Sequence, residues 1–235
     1  MRGALQMAWD GIQSEVVACR RCPRLVAWRE QVARQRKAAF RDETYWGRPV
    51  PAWGDPRARV YVLGMAPGAH GANRTGRMFT GDACSDWLAA SLHRTGFASH
   101  ATSQRADDGL QLADLAISGA VRCAPPSNQP AAAEIAACAP LFHRELALMP
   151  ALRVVVALGG LAWKAYLRWA AGQGARPRPQ PRFGHGVVVD LGLPHTLIGS
   201  YHPSQLNTRT GRLTEAMSDA VFAAAAQRAA GPSDG

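Results

Sequence analysis

Four stretches of this chain share one pattern: a short apolar run, a turn rich in glycine or polar residues, and a segment with helical spacing. "ARVYVLG", whose run Arg59 to Leu63 fits a buried strand, gives way to a glycine loop and then to "DACSDWLAASLHRTGF". There Trp87, Leu88 and Leu92 space an apolar helical face and Gly96 is placed to end it. "LADLAISGAVRCAPP" leads into the helix "PAAAEIAACAPLFHRELALMP", and "RVVVALGGLAWKAYLRWA" reads as strand, tight glycine turn and helix. "HTLIGS" is followed by the polar loop "YHPSQLNTRTGR" and a last helix from Leu213. Strands alternating with helices predict an α/β fold, a mostly parallel sheet with helices on both faces. Such sheets bind ligands beyond the carboxyl ends of their strands, where the glycine loop and the "YHPSQLN" loop both fall.

The flanks add less. Residues 8 to 38 show helical periodicity interrupted by "CRRCP", "RPVPAWGDPRA" is a proline-rich approach to the first strand, and "GVVVDL" is a further short strand. "RPRPQPR", Arg176 to Arg182, is a surface loop, because its prolines remove the backbone donors that helix and central strand need. At 235 residues the expectation is one domain over residues 1–229, with 230–235 a disordered tail. The net charge of +10 points to a polyanionic partner, and nearly all the positive charge is arginine, Lys37 and Lys164 being the two lysines. No window holds eighteen consecutive apolar residues, and Asp10 and Glu15 interrupt the start where a secretory segment is apolar, so the expectation is a soluble cytoplasmic protein without a membrane partner.

Five cysteines, an odd number without an export signal, suit bound metal better than a disulfide framework. Cys19 and Cys22 form a C-x2-C pair followed by proline, while Cys123 ends a strand and Cys138 lies in the next helix. Four thiolates brought together by tertiary structure suit zinc or an iron–sulfur cluster, and the flanking residues leave both open. Cys84 has no partner by spacing and reads as a packed thiol.

The loop "GMAPGAHGANRTGRMFTGD", Gly64 to Asp82, is neither a Walker A sequence nor a G-x-G-x-x-G turn. Ala66, Pro67, Gly68 and Ala69 are a small-residue turn able to bring main chain against a ligand; Asn73, Arg74, Thr75 and Arg77 add polar reach, Phe79 a flat face, and Asp82 a helix cap. In "SYHPSQLNTRTGRL" the proline holds His202 extended on a polar loop after an apolar strand.

These two loops, in this order, with "AVRCAPPSNQP" between them and "CRRCP" ahead, resemble the family 5 uracil-DNA glycosylases (UDGb type), from about Cys19 to Leu213. The resemblance implies a three-layer α/β/α sandwich around a short, mostly parallel sheet. It also implies a [4Fe-4S] cluster on Cys19, Cys22, Cys123 and Cys138, and a monomeric, nucleoid-associated enzyme of base excision repair. The implied activity is hydrolysis of the N-glycosidic bond of uracil or other damaged bases in DNA. The implied base pocket uses Gly64, Pro67 and Gly68 of the first loop, Phe79 as stacking surface, and Gly119.

A glycosylase must turn its target nucleotide out of the duplex, at a cost of a few kcal/mol that mispairing reduces. His202 is the candidate donor to the base oxygen as negative charge develops there. Ala66 stands where other uracil-DNA glycosylases carry an acid, so another group must hold the attacking water, Asn73 being the first choice and His202 the second. No lysine lies in either motif, so a monofunctional hydrolase that leaves an abasic site is expected. Gly119 stands where related enzymes carry an asparagine, which implies a roomier pocket open to hypoxanthine and ethenocytosine. Arg74, Arg77, Arg209 and Arg212 are expected to meet phosphates, with "RPRPQPR" a weaker candidate; Gln205, Leu206 and Asn207 are expected to fill the gap left by the flipped nucleotide, Leu206 as the apolar wedge. The competing readings are a catalytically inactive DNA-binding module of the same fold and a family 4 type enzyme.

Overall fold

A computed structural model describes residues 2–231. Six strands form one sheet: β1 (Trp53–Gly54), β2 (Val60–Gly64), β3 (Leu115–Gly119), β4 (Val154–Leu158), β5 (Val188–Val189) and β6 (Thr196–Ser200), in the spatial order β1-β3-β2-β4-β6-β5. The four central strands are parallel and the two-residue edge strands antiparallel. In β2, Val60 pairs in register with Leu115 on one side and Val154 on the other.

Alternation along the central strands divides two apolar cores. Val60, Val62, Leu115, Ile117, Val154, Val156 and Ile198 face helices α4 (Ala83–Arg94) and α8 (Glu215–Ala230); Tyr61, Leu63, Ala116, Val155, Ala157 and Leu197 face α1 (Arg2–Ala18), α5 (Ala132–Ala147) and α6 (Gly160–Gly172). The central strands are therefore apolar on both sides, as a parallel sheet covered by helices requires. This is the expected mostly parallel α/β/α sandwich. Helix α2 (Pro23–Gln35) and the short helices α3 (Ala72–Thr75) and α7 (Gln205–Arg209) complete the elements described.

Several local expectations shift. The helical stretch 8 to 38 divides at the cysteine pair into α1 and α2, with Pro23 opening the second helix. "GVVVDL" yields only Val188–Val189, because the chain turns at Asp190, whose carboxylate accepts from Gly192 N. The last helix begins at Glu215, capped by the Thr214 hydroxyl accepting from Met217 N, with Leu213 packed beneath as a buried anchor. Of the tail expected to be disordered, Ala230 closes α8 and 232–235 lie outside the described residues. Among the described residues no helix is long and apolar enough to cross a membrane.

Candidate active site

The loops that follow all four central strands converge on one cleft of about 800 Å³. After β2 comes Met65–Ala72 with Met78, Phe79 and Gly81–Cys84; after β3 comes Asn128; after β4, Leu158–Leu161; after β6, His202, Ser204 and Gln205. The chain reverses direction across the sheet between β2 and β4, so the cleft occupies the switch point where open α/β sheets bind ligands. The amino end of α6, which starts at Gly160, adds partial positive charge there.

The glycines of the first loop admit the protein's own side chains. A Cβ on Gly64 would stand 2.7 Å from Phe79 Cε2, so only glycine at the strand end lets that ring lie across it. Phe79 itself holds φ at 51°, a left-handed conformation that costs a bulky residue about 1–3 kcal/mol and is kept where surroundings enforce it. A Cβ on Gly71 would overlap the Asp82 carboxylate, and one on Gly68 would lie 3.0 Å from Asp82 Oδ2. These glycines thus also let an aromatic ring and a carboxylate reach the cleft.

Asp82 uses one oxygen for structure. Oδ1 caps α4, accepting from Ser85 N at 2.9 Å and Ser85 Oγ at 2.8 Å. Oδ2 has no hydrogen-bond partner among the described residues and sits against Gly68 and Gly71 in the cleft wall. His202 lies with its ring 5.8 Å from that of Phe79. Neither of its ring nitrogens has a protein partner among the described residues, whereas its carbonyl is clamped by Asn207 Nδ2 at 2.8 Å. Burial pushes the imidazole below its ordinary range, against a smaller opposing pull from Asp82, so the ring is neutral near pH 7. Asn128, exposed at the cleft edge, also has positive φ, 55°.

Not every expected site residue arrives. Ala66, Pro67 and Gly68 line the cleft. Asn73 does not: it is fully buried, its amide nitrogen donating to the Arg29 carbonyl at 3.3 Å and the Ala69 carbonyl at 3.4 Å, so it ties the loop to α2, while its Oδ1 has no partner among the described residues. Arg74 and Arg77 are not phosphate contacts. Both are 7% exposed: Arg74 pairs with Glu43 and stacks on Phe40, and Arg77 chelates Asp108 while donating to Thr80 and Ser103. Gly119 lies outside the cleft; a Cβ there would meet Val121 O at 2.9 Å and Met78 Cε at 3.0 Å, so methionine occupies the space that was expected to be open. Asn207 is a backbone clamp and not a gap filler.

The second loop keeps more of its expected role. Gln205 reaches the cleft, Leu206 is 74% exposed, and Arg209 and Arg212 are exposed without a carboxylate partner among the described residues; the Arg212 guanidinium lies 4.8 Å over the Tyr201 ring. The prolines of "RPRPQPR" stand in an exposed loop as expected. Cys84 lines the cleft as an inert thiol, pushed up to about 11 by burial.

Cys19, Cys22, Cys123 and Cys138 line one small cavity with Leu25, Val121, Arg29 and Arg122, and Ala66 packs against this cluster from the cleft side. Three N–H groups point at sulfur: Arg29 Nη1 to Cys123 Sγ at 2.9 Å, Arg21 Nε to Cys19 Sγ and Arg122 N to Cys138 Sγ, both at 3.3 Å. Among the described residues no three His, Cys, Asp or Glu side chains form a group that could hold a metal ion.

Residues 51–226 match the Uracil DNA glycosylase superfamily. The chain belongs to that superfamily. It is 53% identical over 208 residues to the type-5 uracil-DNA glycosylase of Mycobacterium tuberculosis, covering 88% of this chain and 76% of that one. It is 52% identical to the type-5 enzyme of Thermus thermophilus (86% and 90% covered) and 45% identical to that of Pyrobaculum aerophilum (93% and 92%). A type-4 uracil-DNA glycosylase of Pyrobaculum aerophilum is 30% identical over 124 residues, covering 52% of this chain and 55% of its own.

Proposed function

We propose that this member of the superfamily hydrolyses the N-glycosidic bond of uracil in DNA and leaves an abasic site. The observation that carries the reading is the cleft itself: an imidazole and a carboxylate oxygen without partners among the described residues meet an aromatic ring in a space large enough for a base and its sugar. The flipped base stacks on Phe79. A neutral His202 N–H donates to the base oxygen while the C1′–N bond breaks and its electron pair leaves with the base, an oxyanion-type contribution worth about 10²–10³ in rate. Asp82 Oδ2 faces the positive sugar and holds the water that adds to C1′, accepting its proton; the Asn128 amide is the second group able to orient that water. This assignment replaces Asn73.

Activity on hypoxanthine and ethenocytosine rests on Met78 and not on a void at Gly119. Methionine is unbranched and polarisable, and it adapts its shape to different occupants. Cys19, Cys22, Cys123 and Cys138 would hold the [4Fe-4S] cluster. One shared cavity lined by the four cysteines and N–H donors aimed at three of their sulfurs support that reading. Its contribution would be a staple between the α1–α2 junction and the β3–α5 segment, a hundred residues apart. A brown protein absorbing around 400 nm, bleached and destabilised by Cys123→Ala, is the expected result; a colourless, zinc-loaded protein would count against it.

The activity is tested with end-labelled duplexes carrying uracil, hypoxanthine or ethenocytosine, each developed with and without alkali. Strand scission that requires alkali establishes a monofunctional glycosylase and ranks its substrates. Tight binding with no base released from any of the three would make this a DNA-binding module that shares the fold.

A further inference from the structure

The segment between α2 and β1 forms an unexpected wall of the cleft: Lys37 and Phe40 line it beside His70 of the glycine loop. We infer that Lys37 and His70 form a phosphodiester-binding subsite for the DNA strand that carries the flipped nucleotide. The inference rests on the glycosylase reading above for the identity of its ligand.

Three observations support it. First, the His70 ring is held by Tyr45. The Lys37 backbone N–H donates to Tyr45 Oη at 3.3 Å, and Tyr45 Oη lies 3.0 Å from His70 Nδ1. The phenol accepts from Lys37 and, when it donates its own proton to Nδ1, leaves the remaining ring proton on Nε2, the tautomer the subsite requires. Among the described residues Nε2 has no partner, and it belongs to a residue lining the cleft. Burial, with smaller contributions from the positive charges of Lys37 and Arg74, keeps this ring below its ordinary range and hence neutral, a fixed donor and not a titrating cation.

Second, the Lys37 ammonium is exposed, has no carboxylate partner among the described residues, and stands 6.0 Å from the Phe40 ring centroid. The wall that carries it is braced: Arg74 lies 3.9 Å over that same Phe40 ring and is tied to Glu43. Third, the adjoining loop offers donors. The carbonyls of Gly68, Ala69 and His70 are occupied by Asn73 N, Asn73 Nδ2 and Arg74 Nε, while the N–H groups of residues 68–70 donate to no protein acceptor among the described residues. A point charge, a neutral N–H and a turn whose acceptors are already used are the ingredients of a phosphate contact. Asp82 approaches Gly68 and Gly71, so the anion is placed at the Lys37 and His70 side of the loop.

The subsite also supplies what Arg74 and Arg77 do not, a cationic contact beside the reacting nucleotide. Its test needs no turnover. Binding to a duplex with a stable abasic analogue is measured against salt for wild type, Lys37→Gln, His70→Ala and Tyr45→Phe, and repeated with a neutral methylphosphonate at each position near the lesion. The expected result is that Lys37→Gln lowers the slope of log K against log salt by about 0.9, one phosphate's worth. His70→Ala and Tyr45→Phe weaken binding several-fold with the slope unchanged, and one methylphosphonate position that harms wild type no longer harms Lys37→Gln. Far-ultraviolet circular dichroism of Tyr45→Phe separates loss of the tautomer lock from loss of the fold, and His70→Gln, which keeps an N–H, recovers affinity lost in His70→Ala. An unchanged slope and an unchanged methylphosphonate scan in Lys37→Gln overturn the subsite. Failure of base release in proteins that still show the slope difference would overturn the glycosylase reading and leave the subsite standing.

Discussion

The two loops that close the cleft have similar compositions and opposite uses. Between Gly64 and Asp82 the arginines turn inward, Arg74 to Glu43 and Arg77 to Asp108, and four of the five glycines are pressed by side chains of the same loop, Gly76 by Trp46. Between Tyr201 and Arg212 the arginines are exposed, Leu206 projects, and the one amide that turns inward, Asn207, fixes the carbonyl of His202. The first loop is built as a rigid floor and the second as a gripping edge. What separates them is the presence of carboxylates within reach: a guanidinium that finds one in a buried setting becomes structure, and one that does not stays available to a phosphate.

The contrast is sharpest in stability. Arg77→Ala removes the ion pair to Asp108, which keeps the N–H groups of Gln104, Arg105 and Leu110, and removes donors to Thr80 and Ser103, so a loss of about 1.5–3 kcal/mol is expected, read as a fall in the denaturant midpoint. Arg209→Ala should leave that midpoint unmoved. Equal effects of the two substitutions would erase the distinction between the loops.

A smaller effect is expected at Gly64. Alanine there must displace the Phe79 ring, and overpacking of that kind costs about 1–3 kcal/mol, so turnover of a uracil duplex should drop roughly tenfold or more with little change in binding to an abasic analogue. Leu206→Ala acts on the other loop. If the side chain fills the space left by the flipped nucleotide, the variant slows release from duplex by up to about tenfold and leaves single-stranded substrate unaffected, since no stack is opened there. Arg209→Gln is the smallest: affinity weakens evenly across sequences and the salt slope falls by about 0.9.

Acid should separate the floor from the edge as well. The folded pKa of His202 is lowered by burial, so its neutral form persists as pH falls through the ordinary histidine range near 6.5 and is lost only below it. Single-turnover release should therefore hold its rate through pH 6.5 and decline further down. A decline centred at or above 6.5 would mean that the imidazole is solvated in the working enzyme.

The layers of the fold were legible because each central strand is a run of β-branched or apolar residues that a two-sided core demands, and each is followed by a patterned helix. The candidate site was legible in part. Phe79 and His202 stood out as an aromatic and a proline-fixed histidine on otherwise polar loops. Asp82 was readable only as a helix cap, since a cap uses one oxygen and the sequence is silent about where the other points. The burial of Arg74 and Arg77 depends on Glu43 and Asp108, each thirty-one residues away, and no local pattern announces such partners. Lys37 and Phe40 were hidden for the same reason: the segment that carries them precedes the sheet in sequence and reaches the cleft through long-range contacts, among them the Tyr45–His70 bond and the Arg74 stack.

The measurement that bears most directly on the site is single-turnover release of uracil from a duplex by wild type, His202→Ala and Asp82→Asn, alongside binding of each to an abasic analogue. Rates lower by about 10²–10³ in both variants, with binding held within a few-fold, are what a neutral donor and a water-holding carboxylate in one cleft require. Wild-type rates in either variant would remove that residue from the reaction, and an inert wild type that still binds the duplex would contradict the account as a whole.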